Sequence, residues 1–224
     1  MTGSHDVIVI GAGSAGGVAA ARLSEDAARR VLLLEAGPDF PDEAHQLPLF
    51  AVSGENHWQV PGLPEFEWGF VDADRAGRRR GRKIRLPRGR LMGGTSMINS
   101  TIAARPAPFD LDRWAGMGNA GWDWQTLLPW FVAIESDRDF GDAPIHGSDG
   151  PITIQRYAEA DWTPVNRSFA EACAALGIRH AADLNGLDAH ADVFGPMPHN
   201  RWKEVRQGTL VTYLRQARGR PNLT

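Results

Sequence analysis

The stretch Asp6-Val-Ile-Val-Ile-Gly-Ala-Gly-Ser-Ala-Gly16 limits what this chain can fold into more than any other. Val7 to Ile10 is a run of β-branched apolar residues, the composition of a parallel strand covered on both faces. Gly11, Gly13 and Gly16 follow in the spacing G-x-G-x-x-G. Gly11 allows a tight turn, Gly13 lets the backbone approach a diphosphate, and Gly16 lets the next helix pack close to the strand. That helix, predicted from Ser14 to about Ser24, would aim free N–H groups and a partial positive charge at phosphate. Val31-Leu-Leu-Leu34 reads as a second buried strand, and Glu35 stands at its end, 19 positions after Gly16. A carboxylate there suits an adenosine ribose with a free 2′-hydroxyl, which favours FAD or NAD over NADP. A glycine-rich turn without a ligand is the plainer alternative, and the strand–turn–helix–strand context weighs against it.

Composition narrows the class. The 224 residues suffice for one or two domains, and 42% hydrophobic content allows a true core. A formal charge of −3 gives no general pull toward nucleic acid or anionic membrane. One cysteine excludes an internal disulfide framework and a cysteine-built metal site. No apolar run approaches the length of a bilayer span. The N-terminus lacks a basic region and its apolar run belongs to the glycine motif, so Ala19-Ala-Ala21 is not read as a leader cleavage site. A cytoplasmic location is expected.

Beyond Glu35, residues 38–65 show no sustained period and read as long connecting loops. Phe66–Val71 and Lys83–Leu86 are strand-like and predict a hairpin around a polar turn. Arg75, Arg78, Arg79, Arg80, Arg82, Lys83, Arg85, Arg88 and Arg90 make this region basic. With no aromatic interleaving it reads as a solvated arginine turn, partly facing a cofactor diphosphate, rather than a nucleic-acid patch. Gly93-Gly94-Thr95-Ser96 forms either a backbone nest for phosphate or a flavin edge, or an ordinary turn into a helix capped by Thr95 or Ser96.

Helices are predicted at Asp110–Ala115 and within Trp122–Glu135, with Pro129 in a first turn and Trp122, Trp124 and Trp130 packed in core or interface. His146–Gly150 is a turn and Pro151–Gln155 alternates as a half-buried strand. Thr163-Pro164 opens an amphipathic helix whose buried face is Val165, Phe169, Cys173 and Leu176, stopped by Gly177. Cys173 reads as a small core residue. Asp183–Gly186 and Arg220–Asn222 are turns, and Arg206–Arg215 opens a short helix.

Four segments occur in order: Gly-Ala-Gly-Ser-Ala-Gly (11–16), Leu-Glu-Ala-Gly-Pro (34–38), Arg-Gly-Arg-Leu-Met-Gly-Gly-Thr-Ser-Met-Ile-Asn (88–99) and Phe-Asp-Leu-Asp-Arg-Trp (109–114). Together the chain resembles the glucose–methanol–choline (GMC) oxidoreductases, in particular their choline-dehydrogenase-like branch. Gly-Trp-Asp-Trp (121–124), His-Gly-Ser-Asp-Gly-Pro (146–151), Asp-Leu-Asn-Gly (183–186) and Arg-Pro-Asn-Leu-Thr (220–224) extend the likeness over essentially the whole chain. The resemblance implies a flavoenzyme that passes a hydride from an alcohol carbon to flavin N5. It implies an α/β fold: an incomplete FAD-binding Rossmann-like domain over residues 1–145, then the start of an α+β substrate domain over 146–224 whose antiparallel sheet begins near Ile152.

Carried over, Gly11, Gly13 and Gly16, with Ser14 and Ala15, would hold the pyrophosphate, and Glu35, beside Ala36, the adenosine ribose. Arg88, Gly93, Gly94, Thr95 and Asn99 would line the diphosphate and the isoalloxazine edge. Some relatives attach FAD through a histidine just before this asparagine; Ile98 stands there, so non-covalent FAD is expected. An NAD-dependent enzyme is disfavoured by the 88–99 segment.

The family's catalytic histidine lies near the end of much longer chains, so no catalytic residue is expected within these 224. His5, His45, His57, His146, His180, His190 and His199 all fall in loops, turns or element ends without metal-ligand spacing. The chain therefore reads as an N-terminal portion with little turnover of its own. The alternative is a chain that only binds FAD, or half of a split enzyme completed by a separate C-terminal polypeptide. The alcohol and the electron acceptor are not specified by these residues.

Overall fold

The computed structural model describes residues 4–41, 64–72, 83–187 and 192–224. His45, His57 and His190, and Arg75, Arg78, Arg79, Arg80 and Arg82, lie outside them. The chain divides into two compact units, residues 1–100 with 204–224, and residues 101–203. The last 21 residues group with the first unit.

In the first unit β1 (Val7–Ile10), α1 (Ser14–Leu23) and β2 (Val31–Leu34) form where the pattern predicts them. The strands pair in parallel, Val7 opposite Val31 and Ile10 opposite Leu34. Gly17, Ala20 and Ala21 of α1 are buried. The expectation of a sheet buried on both faces is corrected. Along β1, Val7 and Val9 are half-buried, whereas Ile8 and Ile10 are exposed, Ile10 at 85%. Leu34 is exposed as well, because no second layer among the described residues covers that face.

A third parallel element joins the sheet from the far end of the chain. The Val31 N–H donates to Asn222 O at 2.8 Å, the Thr224 N–H to Val31 O at 3.0 Å and the Leu33 N–H to Thr224 O at 2.7 Å. The Asn222 amide donates to Ser24 O, Asp26 O and Arg29 O, tying the α1–β2 connection together. The predicted hairpin is present: Val71 bridges Arg85 and Glu67 bridges Gly89, both antiparallel. The first unit has a core of Phe40, Phe66, Leu91, Met97, Ile98 and Leu210. Leu210–Leu214 is a π-helix running into one short turn of α-helix, in place of the regular helix expected over 206–215.

The second unit begins and ends in strained backbone. Thr101 and Lys203 both have positive φ, 59° and 53°. Its entry and exit segments pair: the Asn200 N–H donates to Thr101 O at 2.8 Å, and the Ala103 N–H to Pro198 O at 2.9 Å. Between them lie α2 (Pro108–Gly116), α3 (Trp124–Ile134), β3 (Glu135–Asp137), β4 (Ile152–Ile154) and α4 (Pro164–Ala175). β5 (Arg179–His180) and β6 (Val193–Phe194) follow. The strand expected at Ile152 is there. Its ladder with β3 is parallel, and antiparallel pairing enters at Gln155 and Ile102, both bridged to His199.

Two helix readings are corrected. Asp123 caps α3 by accepting from the Thr126 N–H, so the helix starts early and Pro129 falls in its interior, not its first turn. On α4 only Cys173 of the expected stripe is buried; Val165 is 79% exposed and Leu176 77%, with Phe169 also exposed. Trp124 is buried as expected, while Trp122 and Trp130 are exposed.

Candidate functional site

The first unit holds a cleft of about 590 Å³ at the C-terminal end of β1 and β2, the place where open parallel sheets bind ligands. It is lined by Gly11, Gly13, Ser14, Glu35, Ala36, Arg88, Gly94 and Thr95, together with Ile10, Leu34, Trp68 and Gly89. Eight residues singled out from the sequence thus meet around one space. Ala15, Gly16, Gly93 and Asn99 do not line it.

The turn after β1 is built by close approach. Gly11 has φ +93°, and its N–H donates to Leu34 O at 2.7 Å. A Cβ on Gly16 would sit 1.9 Å from Gly11 O, so only glycine lets the helix start this close to the turn. Gly13 is the N-cap of α1 and no side chain caps that end, nor is there an acid in the first turn. The orphan N–H groups of the helix therefore open toward the cleft. The Glu35 carboxylate accepts from the Ala12 N–H at 2.8 Å and the Gly37 N–H at 3.0 Å. A carboxylate has about four acceptor directions, so capacity remains for ribose hydroxyls.

The second glycine segment docks onto the first. The Gly93 N–H donates to Ala12 O at 2.8 Å, and a Cβ on Gly94 would fall 2.6 Å from Gly13 Cα. Both Gly93 and Gly94 are left-handed, at φ +88° and +54°. The segment continues as a 3-10 helix, Gly94–Met97, capped by Gly93 rather than by Thr95 or Ser96. Thr95 Oγ1 accepts from the Gly89 N–H, and Ser96 Oγ donates to Gly93 O at 2.6 Å.

Sequence reasoning missed Thr209. Its N–H donates to Ser96 Oγ at 2.9 Å, and its hydroxyl reaches Gly93 O at 3.3 Å and Gly13 O at 3.5 Å. One threonine at the start of the π-helix thus clamps both glycine loops. The only trace in the sequence is a Gly208-Thr209 pair ahead of an apolar run. The donor set, the uncapped helix end and the glycine-on-glycine contact fit an extended ligand carrying a diphosphate.

The second unit holds a buried ionic cluster. His146 Nδ1 lies 2.8 Å from Glu135 Oε1 and 3.3 Å from Asp137 Oδ2, and Nε2 lies 2.9 Å from Asp183 Oδ2. Arg105 pairs with Glu135, and Arg156 bridges Asp137 at 3.0 Å and Asp183 at 2.6 Å. Burial alone would push the imidazole down; Asp137, Asp183 and Glu135 outweigh it and raise the pKa of His146 to about 10. Burial likewise opposes ionisation of Asp137 and Asp183, yet His146 and Arg156 hold both below the usual carboxylate range. Three buried carboxylates, with the half-buried Asp139 at 3.3 Å from Arg156, face three cations.

Glu135, Asp137 and His146 bring ligand-type atoms within 4.8 Å of one another, but Glu135 Oε1 is already shared by Arg105, His146 and the Gly147 N–H. The grouping is an ion-pair network. With both ring nitrogens donating to carboxylates, His146 has no lone pair with which to take a proton. A second cleft in this unit, about 410 Å³, is lined by Tyr157, Trp162, Phe169, Phe194, Met197 and His199 among others. Among the described residues no helix is long and apolar enough to cross a membrane.

A parallel β-α-β unit whose glycine turn receives a second glycine loop is the frame of a Rossmann-like nucleotide-binding domain. The family model for GMC oxidoreductase matches residues 5–224, and the chain belongs to that family. It is 36% identical over 98% of its length to 5-(hydroxymethyl)furfural oxidase of Methylovorus sp. (strain MP688), covering 41% of that protein. It is 37% identical over its whole length to an oxygen-dependent choline dehydrogenase of Pseudomonas entomophila (strain L48), covering 38% of it. Among solved structures, pyridoxine 4-oxidase from Mesorbium loti superposes with a TM-score of 0.84 at 34% identity, over 99% of this chain and 42% of that one. The chain thus spans about two fifths of the length of these relatives.

Proposed function

We propose that this chain is the FAD-binding part of an oxidoreductase acting on the CH–OH group of a small alcohol. The observation that carries the reading is the seat made by Gly13 and Gly94 at the uncapped N-terminus of α1, with Glu35 at the end of β2. When bound, FAD supplies a ring that accepts a hydride from the alcohol carbon. In this reading Gly11, Gly13, Ser14, Ala15 and Gly16 present the helix terminus to the diphosphate. Glu35, beside Ala36, accepts the ribose hydroxyls. Arg88, Gly93, Gly94, Thr95 and Asn99 border the diphosphate and the flavin edge, with Thr209 holding the two loops in register. Ile98 offers no atom for a covalent flavin link, so FAD is held non-covalently.

The cofactor role belongs to the region up to about residue 145 and the substrate role to the part that follows, with 204–224 packed into the cofactor-binding unit. We further propose that the acid–base histidine comes from polypeptide beyond the described residues, either on the same chain or as a separate one. The exposed Ile8, Ile10 and Leu34 favour such a covering segment. Purified protein is expected to carry a flavin absorption band that moves wholly to the supernatant on acid precipitation. Colourless protein that takes up no added FAD would overturn the reading, and colour left on the pellet would overturn the non-covalent part.

A further inference from the structure

Arg206 is fully buried, at 0% exposure, in the first unit. Buried arginines ordinarily meet a carboxylate. Arg206 meets none among the described residues. Its Nη1 donates to Asn99 O and, at 3.1 Å, to Asn99 Oδ1. Its Nε and Nη2 are buried and have no hydrogen-bond partner among the described residues. Burial lowers its pKa to about 10, which still leaves it a cation at neutral pH. A cation kept in the interior without a counter-ion is costly, and such a cost is usually met by a ligand or a reaction.

The charge lies beside a residue that adjoins the cleft. The Asn99 N–H donates to Thr95 O at 3.0 Å, so Asn99 sits one tight turn from the Thr95 that lines the cleft. Arginine is a donor only, and it therefore forces the carbonyl side of the Asn99 amide toward itself and the NH₂ side away.

Resting on the FAD reading above, we infer that Arg206 is a positioning residue for the flavin end of the site: it fixes the Asn99 amide as a donor and places an uncompensated positive charge that favours the reduced, more electron-rich flavin. Arg156 and Arg105 are matched by Asp137, Asp183 and Glu135.

The test is an equilibrium redox titration of bound FAD, with FAD affinity and thermal melts measured in parallel, on the full chain and on Arg206→Met, Arg206→Gln and Arg206→Lys. Loss of the charge in Met and Gln is expected to cut the preference for reduced over oxidised flavin about tenfold, roughly 30 mV for a two-electron couple. Lysine is expected to restore most of it. Melts of the Gln and Lys variants should agree, so that a merely structural role cannot mimic the result. The unaltered protein gives a second reading independent of any variant: its FAD should be reduced at a higher potential than free FAD.

Equal potentials across the series, or a wild-type potential at or below that of free FAD, overturn the inference while leaving FAD binding intact. A wild-type chain that binds no FAD overturns both.

Discussion

Single atoms decide the glycine loops. A methyl on Gly94 would lie inside van der Waals contact of Gly13 Cα, on a backbone already at φ +54°. Gly94→Ala is expected to cost about 2 kcal/mol of stability and at least tenfold in FAD affinity, read by urea melts and flavin fluorescence titration. His146 offers a charge-based prediction. Replacing it by Gln leaves three buried carboxylates facing two arginines, with an expected loss of about 3–5 kcal/mol in the second unit.

The same residue sets a pH dependence. His146 titrates higher folded than unfolded, so its stabilisation is complete below the unfolded value near 6.5 and fades as pH rises toward 10. Asp137 and Asp183 titrate lower folded than unfolded, so theirs is present above about 4 and is lost in acid. Melting temperature of the second unit should peak between about 4 and 6.5, and His146→Gln should flatten the alkaline limb. His146 was legible in the sequence only as part of a turn. The carboxylates and arginines that make it a cation come from positions 105, 135, 137, 156 and 183, which no local pattern links.

At the scale of elements, the sequence foretold β1, α1 and β2 because strand composition, glycine spacing and helix length all agreed there. It misjudged α4, since a 3.6-residue period reports which face is apolar and not whether anything packs on it. Leu176→Gln is accordingly expected to change stability by less than about 0.5 kcal/mol, whereas Cys173→Asp at the buried position should cost more than about 2 kcal/mol. Differential scanning fluorimetry of the two variants separates the alternatives. Pro129 was misplaced for a related reason: the cap at Asp123 starts the helix a full turn ahead of the proline. The π-helix at Leu210–Leu214 left no signature in propensity. It is set by Thr209 and by Thr212, whose hydroxyl returns to Gly208 O at 3.0 Å.

For the whole molecule, the two-unit arrangement was the least legible property. Arg220-Pro-Asn222 reads locally as a turn, yet Asn222 holds three carbonyls some two hundred positions earlier in the chain. Asn222→Ala leaves those acceptors without their donor. It should destabilise the first unit by about 2 kcal/mol while the second unit keeps its melting point, as domain-resolved hydrogen exchange would show.

The way residues 204–224 complete the first unit has a consequence for birth on the ribosome. Synthesis runs from the N-terminus, so β1, α1 and β2 emerge first but wait, unclosed, for Thr209 and Asn222. Residues 101–203, whose entry and exit are already knotted together by Thr101 and Asn200, leave the exit tunnel whole before that moment. The second unit is therefore the first to mature, and the cleft of the first unit is braced only after Thr209 and Asn222 have been made.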